Sequence, residues 1–437
     1  MRKIISYLLI VIVTLIGTNS YSQKPSDNDL QDQKMNWFKD AKLGIFIHWG
    51  IYSVNGIDES WSFFNGYISH DDYMKQLSGF TAENYKPKYW AKLIKDSGAR
   101  YAVLTTKHHD GVALWDTDFG DLSVVKKTPA KRDLIDPFCK ALRKNDIKVG
   151  LYYSLLDWSH PDYPNLTKTE TRYTEDSTRW DKFSEFNHGQ IREISDKFNP
   201  DLIWFDGDWE QSAEMWKSIE IRELLLAKNK NVILNSRLQG YGDYATPEQG
   251  LPITKPQDKY WELCMTMNDS WGYQGNDNNY KSTNQIIDIF TQCLWMGGNL
   301  LLDIAPMPDG TIPPEQVNIL EDLGRWTSKH ETAIFGTEAG LPPGYFYGPS
   351  TISSDSTIIY LFLPYNPEGQ VMLKGVKNKI NRIWVVGNGT KLEHKTYLKP
   401  YWSTKPGLVY IDIPEKVLDS NMTVIAVLLD DKIELGE

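Results

Sequence analysis

The chain has 437 residues, of which 41% are hydrophobic and 13% aromatic, enough for one large barrel and a second domain with full cores. A formal net charge of −10 argues against a nucleic-acid partner, because no basic excess is available to neutralise phosphates. The 16 tryptophans and 24 tyrosines exceed what a core needs and favour carbohydrate as a ligand, since aromatic rings stack on the C–H faces of sugars.

The first residues have the pattern of a secretory signal peptide. Arg2 and Lys3 precede an apolar run over 4–16, and a short polar stretch ends at Ser22. The apolar run is short for a membrane span, and no cysteine that could carry a lipid stands near the cleavage point. We therefore predict a signal peptide over 1–22 and export of the mature chain, in a bacterium to the periplasm. An uncleaved membrane anchor is the alternative.

From Trp37 to about Glu331, short apolar strands alternate with longer amphipathic stretches. Strands are predicted over 44–48, 101–106, 148–153, 202–205, 231–235 and 300–304. Helices are predicted over 87–97, 134–145, 180–198, 215–228 and 283–296. This alternation predicts a parallel sheet covered by helices. No glycine-rich nucleotide-binding motif follows a strand, so an irregular (β/α)8-type barrel over 23–335 is favoured over an open sheet.

After Gly336 the pattern changes to strands separated by turn residues. Strands are predicted over 356–363, 382–387, 407–413 and 422–429, without helical periodicity between them. The segment 336–437 is therefore predicted to be an antiparallel β-sandwich, which we expect to brace the barrel. The three cysteines, Cys139, Cys264 and Cys293, are widely spaced, and we interpret them as small buried residues.

Polar residues follow three of the predicted barrel strands. Asp206 ends the run Leu202 to Phe205, His48 follows the first strand, and His108 and His109 follow the second. Catalytic groups of parallel α/β barrels lie where strands finish, so these residues are candidates for one site. A carbohydrate ligand suggests glycoside hydrolysis, a reaction that needs two carboxyl groups. Asp206 is the candidate for the first of them. Asp208 is its rival.

The second carboxyl group has two candidates downstream. Glu248 lies in a loop, where it could reach over a substrate. Glu262 is flanked by Trp261 and apolar residues, and burial would raise the pKa of its carboxyl group, as a catalytic acid requires. The residues alone leave the choice between Glu248 and Glu262 open.

Six segments in this order resemble the α-L-fucosidases of glycoside hydrolase family 29, over nearly the whole mature chain. They are 37–50 (WFKDAKLGIFIHWG), 107–111 (KHHDG), 151–154 (LYYS), 204–209 (WFDGDW), Trp261-Glu262 leading to 270–273 (SWGY), and 297–303 (GGNLLLD) followed by Asp309-Gly310. The resemblance implies an irregular (β/α)8 barrel with a C-terminal β-sandwich. It also implies an exo-acting hydrolase that removes terminal α-L-fucosyl residues with retention, through a covalent intermediate.

The resemblance also assigns residues. Asp206 is implied as the nucleophile and Glu248 as the favoured acid/base, with Glu262 as runner-up. Residues implied to bind the sugar are His48, Glu59, Trp61, His108, His109, Tyr153, Arg237 and Trp271. The chain departs from the family pattern at Ser60, which separates Glu59 from Trp61 where many relatives have the two adjacent.

Neither a cofactor nor a metal is expected, and the partner is expected to be a fucosylated oligosaccharide or glycoconjugate. A metal site at His108-His109-Asp110 is the competing interpretation, but adjacent side chains on a strand face opposite ways. Two more functions compete with fucoside hydrolysis. One is a retaining glycosidase for a related sugar, such as an α-L-galactoside or β-D-arabinoside, and the second is a carbohydrate-binding protein without activity. The fucosyl linkage and the oligomeric state stay open.

Overall fold

The computed structural model of the protein describes residues 27–436. In this part of the chain, seven parallel strands form the wall of a barrel, in the order β5-β4-β3-β2-β1-β7-β6. They are β1 (Leu43–Ile47), β2 (Tyr101–Lys107), β3 (Lys148–Ser154), β4 (Leu202–Asp206), β5 (Ile233–Leu234), β6 (Glu262–Thr266) and β7 (Asn299–Ile304). The predicted parallel sheet is confirmed, and the strand β6 was not predicted.

An eighth, irregular segment over 244–248 closes the barrel between its two edge strands. Tyr244 forms a parallel bridge with Asn235 beyond β5, and Glu248 forms one with Cys264 of β6. The amide of Cys264 donates to the carbonyl of Pro247 at 3.1 Å. Pro247 has no N–H to donate in return, so the pairing stays a set of single bridges rather than a regular ladder. The barrel is therefore of the predicted irregular type.

Side chains on the barrel strands alternate between two cores. Phe46, Tyr152 and Trp204 pack inside the barrel, where Phe38 of the N-terminal helix also lies. Their neighbours along the strands, such as Tyr153, belong to the larger core between the strands and the surrounding helices. Because the period of a strand is two residues, this alternation decides which side chains can reach the mouth of the barrel.

Most of the helices surround the barrel, but the N-terminal helix reaches into it with Phe38 and the short helix that begins at Trp61 lies at its mouth. The helices are α1 (Asp27–Ala41), α2 (Trp61–Phe64), α3 (His70–Met74), α4 (Pro87–Asp96), α5 (Val124–Lys127), α6 (Ile135–Lys144), α7 (Ser177–Phe198), α8 (Ala213–Trp216), α9 (Ser218–Lys228), α10 (Thr283–Met296), α11 (Pro314–Lys329) and α12 (Glu331–Ile334). Local sequence explains several of their ends. α4 starts with a proline, and α10 starts with a capping box between Ser282 and Gln285 and ends at Gly297, where φ is +82°.

The C-terminal part contains antiparallel sheets. The strands are β8 (Thr337–Ala339), β9 (Ser350–Ser353), β10 (Ile358–Leu363), β11 (Gln370–Leu373), β12 (Ile380–Val385), β13 (His394–Tyr397), β14 (Leu408–Asp412) and β15 (Thr423–Leu429). Five form the sheet β12-β15-β10-β9-β8, and three form β11-β14-β13. One face of the larger sheet packs on the barrel: Phe362 and Val424 share a core with Trp326 of α11, whose indole N–H donates to the Met422 carbonyl at 2.8 Å.

The three cysteines are buried and unpaired, as predicted. The predicted signal peptide, residues 1–22, lies outside the described residues. Within residues 27–436, no helix combines the length and the apolar character needed to cross a bilayer.

Asp243 stands where the closing segment begins and joins it to two helices. Its side chain is inaccessible to solvent and accepts hydrogen bonds from Lys34 of α1 at 2.7 Å and from Arg222 of α9 at 2.8 Å. The amide of Leu234 in β5 donates to the same carboxylate at 2.8 Å. Burial opposes ionisation, but the charges of Lys34 and Arg222 outweigh it and hold the pKa of Asp243 below its usual value.

We predict that Asp243→Asn destabilises the protein by about 3 kcal/mol at pH 7, because it leaves two cations without their buried carboxylate. Urea unfolding followed by tryptophan fluorescence measures the effect as a lower midpoint. Since the folded pKa is depressed, the difference from wild type should shrink as the pH falls through the range in which Asp243 is protonated. Asp258→Asn, which changes an exposed acid, is the control and should shift stability by no more than about 0.5 kcal/mol. Equal midpoints for wild type and Asp243→Asn would contradict the assignment.

Candidate active site

A pocket of about 250 Å³ opens at the carboxyl ends of the barrel strands. Its walls combine acids, histidines and aromatic rings: Phe46, His48, Glu59, Trp61, His108, Tyr152, Trp204, Asp206, Trp209, Arg237, Glu248 and Trp271. Most of the predicted site residues therefore meet in one place. The lining residues that the sequence analysis did not single out as site residues are Phe46, Tyr152, Trp204 and Trp209.

Asp206 is the last residue of β4 and lies in the wall of this pocket. One carboxylate oxygen accepts a hydrogen bond from the Tyr152 hydroxyl at 2.9 Å, and the other accepts one from Nη1 of Arg237 at 2.9 Å. Nε2 of His109 lies 3.7 Å away. The next residue, Gly207, turns the chain with φ at +82°, and a Cβ there would overlap Leu156. The strand thus ends abruptly and presents its carboxylate to the pocket.

Asp208, the rival of Asp206, does not line the pocket. Its carboxylate accepts a hydrogen bond from the Gln239 amide at 2.7 Å and so holds the neighbouring loop. Burial raises the pKa of Asp208.

Arg237 connects the two acids of the pocket. Nη1 donates to Asp206 and Nη2 donates to Oε2 of Glu248 at 2.5 Å. The guanidinium lies over the Trp204 ring, with its carbon 4.5 Å from the ring centroid, and Nε donates to Thr246 at 3.2 Å. Burial opposes the charge, but the two carboxylates outweigh it and raise the pKa of Arg237. One cation therefore holds both candidate catalytic carboxylates at adjacent positions.

Each of the three histidines near the pocket has its Nδ1 engaged by a side-chain oxygen from another segment. The pairs are His48 with Asp303 at 2.7 Å, His108 with Ser60, and His109 with Ser154 at 2.6 Å. These contacts fix the ring orientations and leave Nε2 of each ring for other partners. Ser60, the residue at which the chain departs from the family pattern, thus supplies the hydroxyl that orients His108.

Burial keeps these imidazoles neutral. It lowers the pKa of His48 and of His108 well below the ordinary value and, together with the nearby charge of Lys107, lowers that of His109 to about 3. Burial also raises the pKa of Asp303, whose carboxyl group contacts Nδ1 of His48. Neutral rings can either accept or donate hydrogen bonds, which suits recognition of sugar hydroxyls. His109 itself lies behind the pocket wall, in contact with Asp206 rather than with the cavity.

Glu59 and Trp61 reach the pocket from the connection between β1 and β2, and Trp271 reaches it from the segment after β6. Oε1 of Glu59 accepts a hydrogen bond from the Gly272 amide, while burial raises the pKa of Glu59 to about 7 against the effect of that bond. The Trp271 ring lies 4.9 Å from the His48 ring. The wall therefore combines the polar groups of Glu59 and His48 with the adjacent aromatic rings of Trp271 and Phe46.

Glu262 does not line the pocket, and its role as the alternative acid/base stays a prediction. It is the first residue of β6, fully buried, and accepts hydrogen bonds from the Tyr101 hydroxyl and from the Trp204 indole N–H at 2.9 Å. Burial raises its pKa to about 7, against the effect of these bonds. A raised pKa was the expected signature of a catalytic acid, but the Trp204 ring separates this carboxyl group from the cavity. Glu262 supports the floor of the pocket from below.

Tyr153, for which a sugar-binding role was predicted, does not line the pocket either. Its hydroxyl lies 3.0 Å from Oε1 of Gln190 and accepts a hydrogen bond from Lys107 at 3.1 Å, on the helix-facing side of β3. Tyr152 takes the place in the pocket and donates to Asp206. Adjacent residues of a strand face opposite ways, so a one-residue difference moves a side chain to the other core.

The competing metal interpretation gains no support from the side-chain positions. His108 turns to Ser60, His109 turns to Ser154, and Asp110 accepts from the Tyr73 hydroxyl at 2.6 Å. Among residues 27–436, no three or more histidine, cysteine or acidic side chains are grouped so that they could hold a metal ion.

Two carboxylates in a blind, aromatic-walled pocket at the mouth of a (β/α)8-type barrel are the arrangement of a glycoside hydrolase. Comparison with known proteins identifies the family of hydrolases. Residues 11–332 match the family model described as alpha-L-fucosidase. The alpha-L-fucosidase of Branchiostoma floridae is 31% identical over 362 residues, which cover 76% of this chain and 79% of that protein. The human tissue alpha-L-fucosidase is 30% identical over 412 residues, covering 87% and 85%.

Solved structures give the same answer. Alpha-L-fucosidase isoenzyme 1 from Paenibacillus thiaminolyticus superposes with a TM-score of 0.84 and 31% identity, over 92% of this chain and all of that one. A family 29 alpha-L-fucosidase from Bacteroides thetaiotaomicron, trapped as a covalent intermediate with 2-fluoro-fucosyl fluoride, superposes at 0.81 with 26% identity, over 91% and 96%. The chain belongs to the α-L-fucosidase family, glycoside hydrolase family 29.

We predict that the pH dependence of stability reports the neutral state of His109. With a folded pKa near 3 and an unfolded value near 6.5, His109 takes up a proton on unfolding between these pH values, so its contribution to stability is present above pH 6.5 and is lost as the pH falls. In His109→Gln the free energy of unfolding should therefore fall less steeply below pH 6, by about 1.4 kcal/mol per pH unit. Urea unfolding from pH 5 to 8 tests this. At pH 8 histidine is neutral in both states, so the difference in unfolding free energy between wild type and His109→Gln gives the packing cost of the substitution alone. Parallel plots of unfolding free energy against pH for the two proteins would contradict the prediction.

Proposed function

We propose that this protein is an exo-acting, retaining α-L-fucosidase that hydrolyses terminal α-L-fucosyl residues of glycans or glycoconjugates by double displacement. The observation that carries the proposal is the pair Asp206 and Glu248, held on the two Nη atoms of Arg237 at the wall of the pocket. Carboxyl groups of retaining enzymes lie about 5 Å apart, closer than those of inverting enzymes, which leave room for a water. A blind pocket of about 250 Å³ suits one terminal sugar ring.

In the first step, Asp206 attacks C1 of the fucosyl group and Glu248 protonates the departing glycosidic oxygen. Both oxygens of Asp206 accept hydrogen bonds, which suits a carboxylate that attacks in its ionised form. Glu248 must carry a proton to act as the acid, so its ion pair with Arg237 has to open when substrate binds. The Glu248 side chain is 40% exposed and can make that movement, whereas the guanidinium remains paired with Asp206.

In the second step, Glu248 acts as a base. It takes a proton from water, the water oxygen attacks C1, and the bond between C1 and Asp206 breaks. Two inversions give α-L-fucose with the configuration of the substrate. When the bond to Asp206 breaks, the negative charge returns to a carboxylate that Tyr152 and Arg237 already stabilise.

The pocket suits a 6-deoxy sugar. Neutral His48 and His108, together with Glu59, line the pocket and offer hydrogen bonds to the ring hydroxyls. Phe46 and Trp271 offer an apolar surface for the C6 methyl group. An apolar surface rejects an added hydroxyl only modestly, so slower hydrolysis of α-L-galactosides or β-D-arabinosides is compatible with this pocket. The presence of both carboxylates favours a hydrolase over a protein that only binds sugar.

Export is a separate proposal and rests on residues 1–22 alone, whose sequence is typical of a cleaved signal peptide. It places the substrate outside the cytoplasm, in a bacterium in the periplasm.

The test is the release of nitrophenol from p-nitrophenyl α-L-fucoside by the mature protein and by Asp206→Gly. The variant should lose at least about 10³-fold in kcat, because no other group can form the intermediate. Azide should restore turnover of the variant and give β-L-fucosyl azide, the inverted product. Inactive wild type on this substrate and on fucosylated oligosaccharides would contradict the proposed activity, and an Asp206→Gly variant of wild-type activity would contradict the nucleophile.

Glu248→Ala and Glu262→Gln separate the two candidate acids in the same assay. Glu248→Ala should be slow to release the intermediate, and azide should accelerate it and give α-L-fucosyl azide with retained configuration. Glu262→Gln should show no acceleration by azide, because its carboxyl group lies beneath Trp204. Acceleration of Glu262→Gln instead of Glu248→Ala would overturn the assignment.

A further inference from the structure

Trp209 is a large aromatic residue of the pocket that the proposed mechanism does not use. It lies in the single turn of 3-10 helix Asp208–Glu210 after β4, lines the pocket, and is 50% exposed. Half of its surface is therefore open to solvent within a pocket that already has two candidate catalytic carboxylates in its wall.

The backbone that carries Trp209 is anchored on its C-terminal side by Glu210. The carboxylate of Glu210 accepts three hydrogen bonds, from the Trp158 indole at 3.1 Å, the Tyr163 hydroxyl at 2.8 Å and the Asn165 amide at 2.9 Å. These three hydrogen bonds fix the turn to the loop after β3.

Asp208 anchors the turn on its other side. Its carboxylate accepts from the Gln239 amide, and its carbonyl accepts from Nε2 of Gln239 at 2.6 Å and from the Trp216 indole at 2.9 Å. The exposed ring of Trp209 thus stands on an immobilised turn. A ligand that covers it loses little protein conformational entropy, as a preorganised binding surface requires.

The Trp209 ring contacts two other rings of the site. Trp209 is nearly parallel to Trp61, with an interplanar angle of 14° and 6.1 Å between centroids, and it meets the His109 ring edge-on at 85°. Trp61 and Glu248 line the same pocket. A leaving group whose glycosidic oxygen receives a proton from Glu248 has to leave through the opening of this pocket, and the half-exposed Trp209 is one of the side chains that line it.

We propose that Trp209 forms a leaving-group subsite whose ligand is a hexopyranose ring, stacked with its apolar C–H face on the indole. The inference rests on the proposed function, because it needs Asp206 and Glu248 to define where the fucosyl group ends. A rigid, flat aromatic surface matches the face of a sugar ring, whereas a serine or threonine side chain as leaving group would cover little of it.

The experiment compares two substrates in wild type and in Trp209→Leu, which keeps apolar bulk but has no flat ring. One substrate is α-L-fucosyl fluoride, which has no ring in its leaving group. The other is the best substrate in a set of disaccharides: α-L-fucosyl-D-galactose with 1,2, 1,3, 1,4 or 1,6 linkage, and α-L-fucosyl-N-acetyl-D-glucosamine with 1,3, 1,4 or 1,6 linkage. The readout is the ratio of kcat/KM on the disaccharide to kcat/KM on the fluoride. It should fall about tenfold in Trp209→Leu and recover in part in Trp209→Phe.

Trp402→Ala is the matched control, because it removes another exposed tryptophan, 74% accessible, from the C-terminal sheets. It should leave both values of kcat/KM unchanged. An unchanged ratio in Trp209→Leu, or a wild type that cleaves the fluoride but none of the disaccharides, would overturn the subsite while leaving the proposed function intact. A wild type inactive on every substrate, the fluoride included, would overturn the proposed function and the subsite with it.

Discussion

The active site depends on one partly buried cation, the guanidinium of Arg237, placed between two carboxylates. Without it, Asp206 and Glu248 would repel each other across a small pocket. With it, each acid has a fixed partner, and the planar group also packs on Trp204, the floor of the pocket. The same arrangement gives the two acids different freedom. Asp206 is held by the strand end, Tyr152 and Arg237, whereas Glu248 stands on an irregular segment and is partly exposed.

That difference follows from how the barrel is closed. The closing segment 244–248 forms single bridges to its neighbours, in part because Pro247 cannot donate a hydrogen bond. Glu248 comes directly after this proline and can change partner without breaking a regular ladder. Asp243 at the start of the segment, bound to Lys34 and Arg222, keeps the segment itself in place. A rigid nucleophile and an adjustable proton donor are what double displacement requires, since one residue makes a bond to carbon and the other moves protons twice.

The barrel strands and the site residues at their ends were predictable, because a single sequence pattern decides each of them. The apolar runs before His48, His108 and Asp206 predicted strands, and parallel strands bring their carboxyl ends to one edge of the barrel. The closing segment was not predictable, because five residues with a proline and single bridges have no strand pattern. The resemblance singled out Tyr153, whereas Tyr152 lines the pocket; both tyrosines are adjacent and buried in β3, so the strand sequence carries no alternation that separates its two faces. Glu262 illustrates the same limit: its apolar neighbours correctly indicated burial, but not that Trp204 would lie between it and the cavity.

The most direct test of the account is to trap the intermediate. Incubation with 2-deoxy-2-fluoro-α-L-fucosyl fluoride should slow both steps and accumulate an enzyme that carries one 2-fluorofucosyl group, detectable by intact-protein mass spectrometry. Peptide mapping should locate that group on Asp206, and the Asp206→Gly variant should remain unlabelled. A label on Asp208, Glu248 or any other residue, or turnover of ordinary fucosides to the inverted sugar, would contradict the double displacement proposed here.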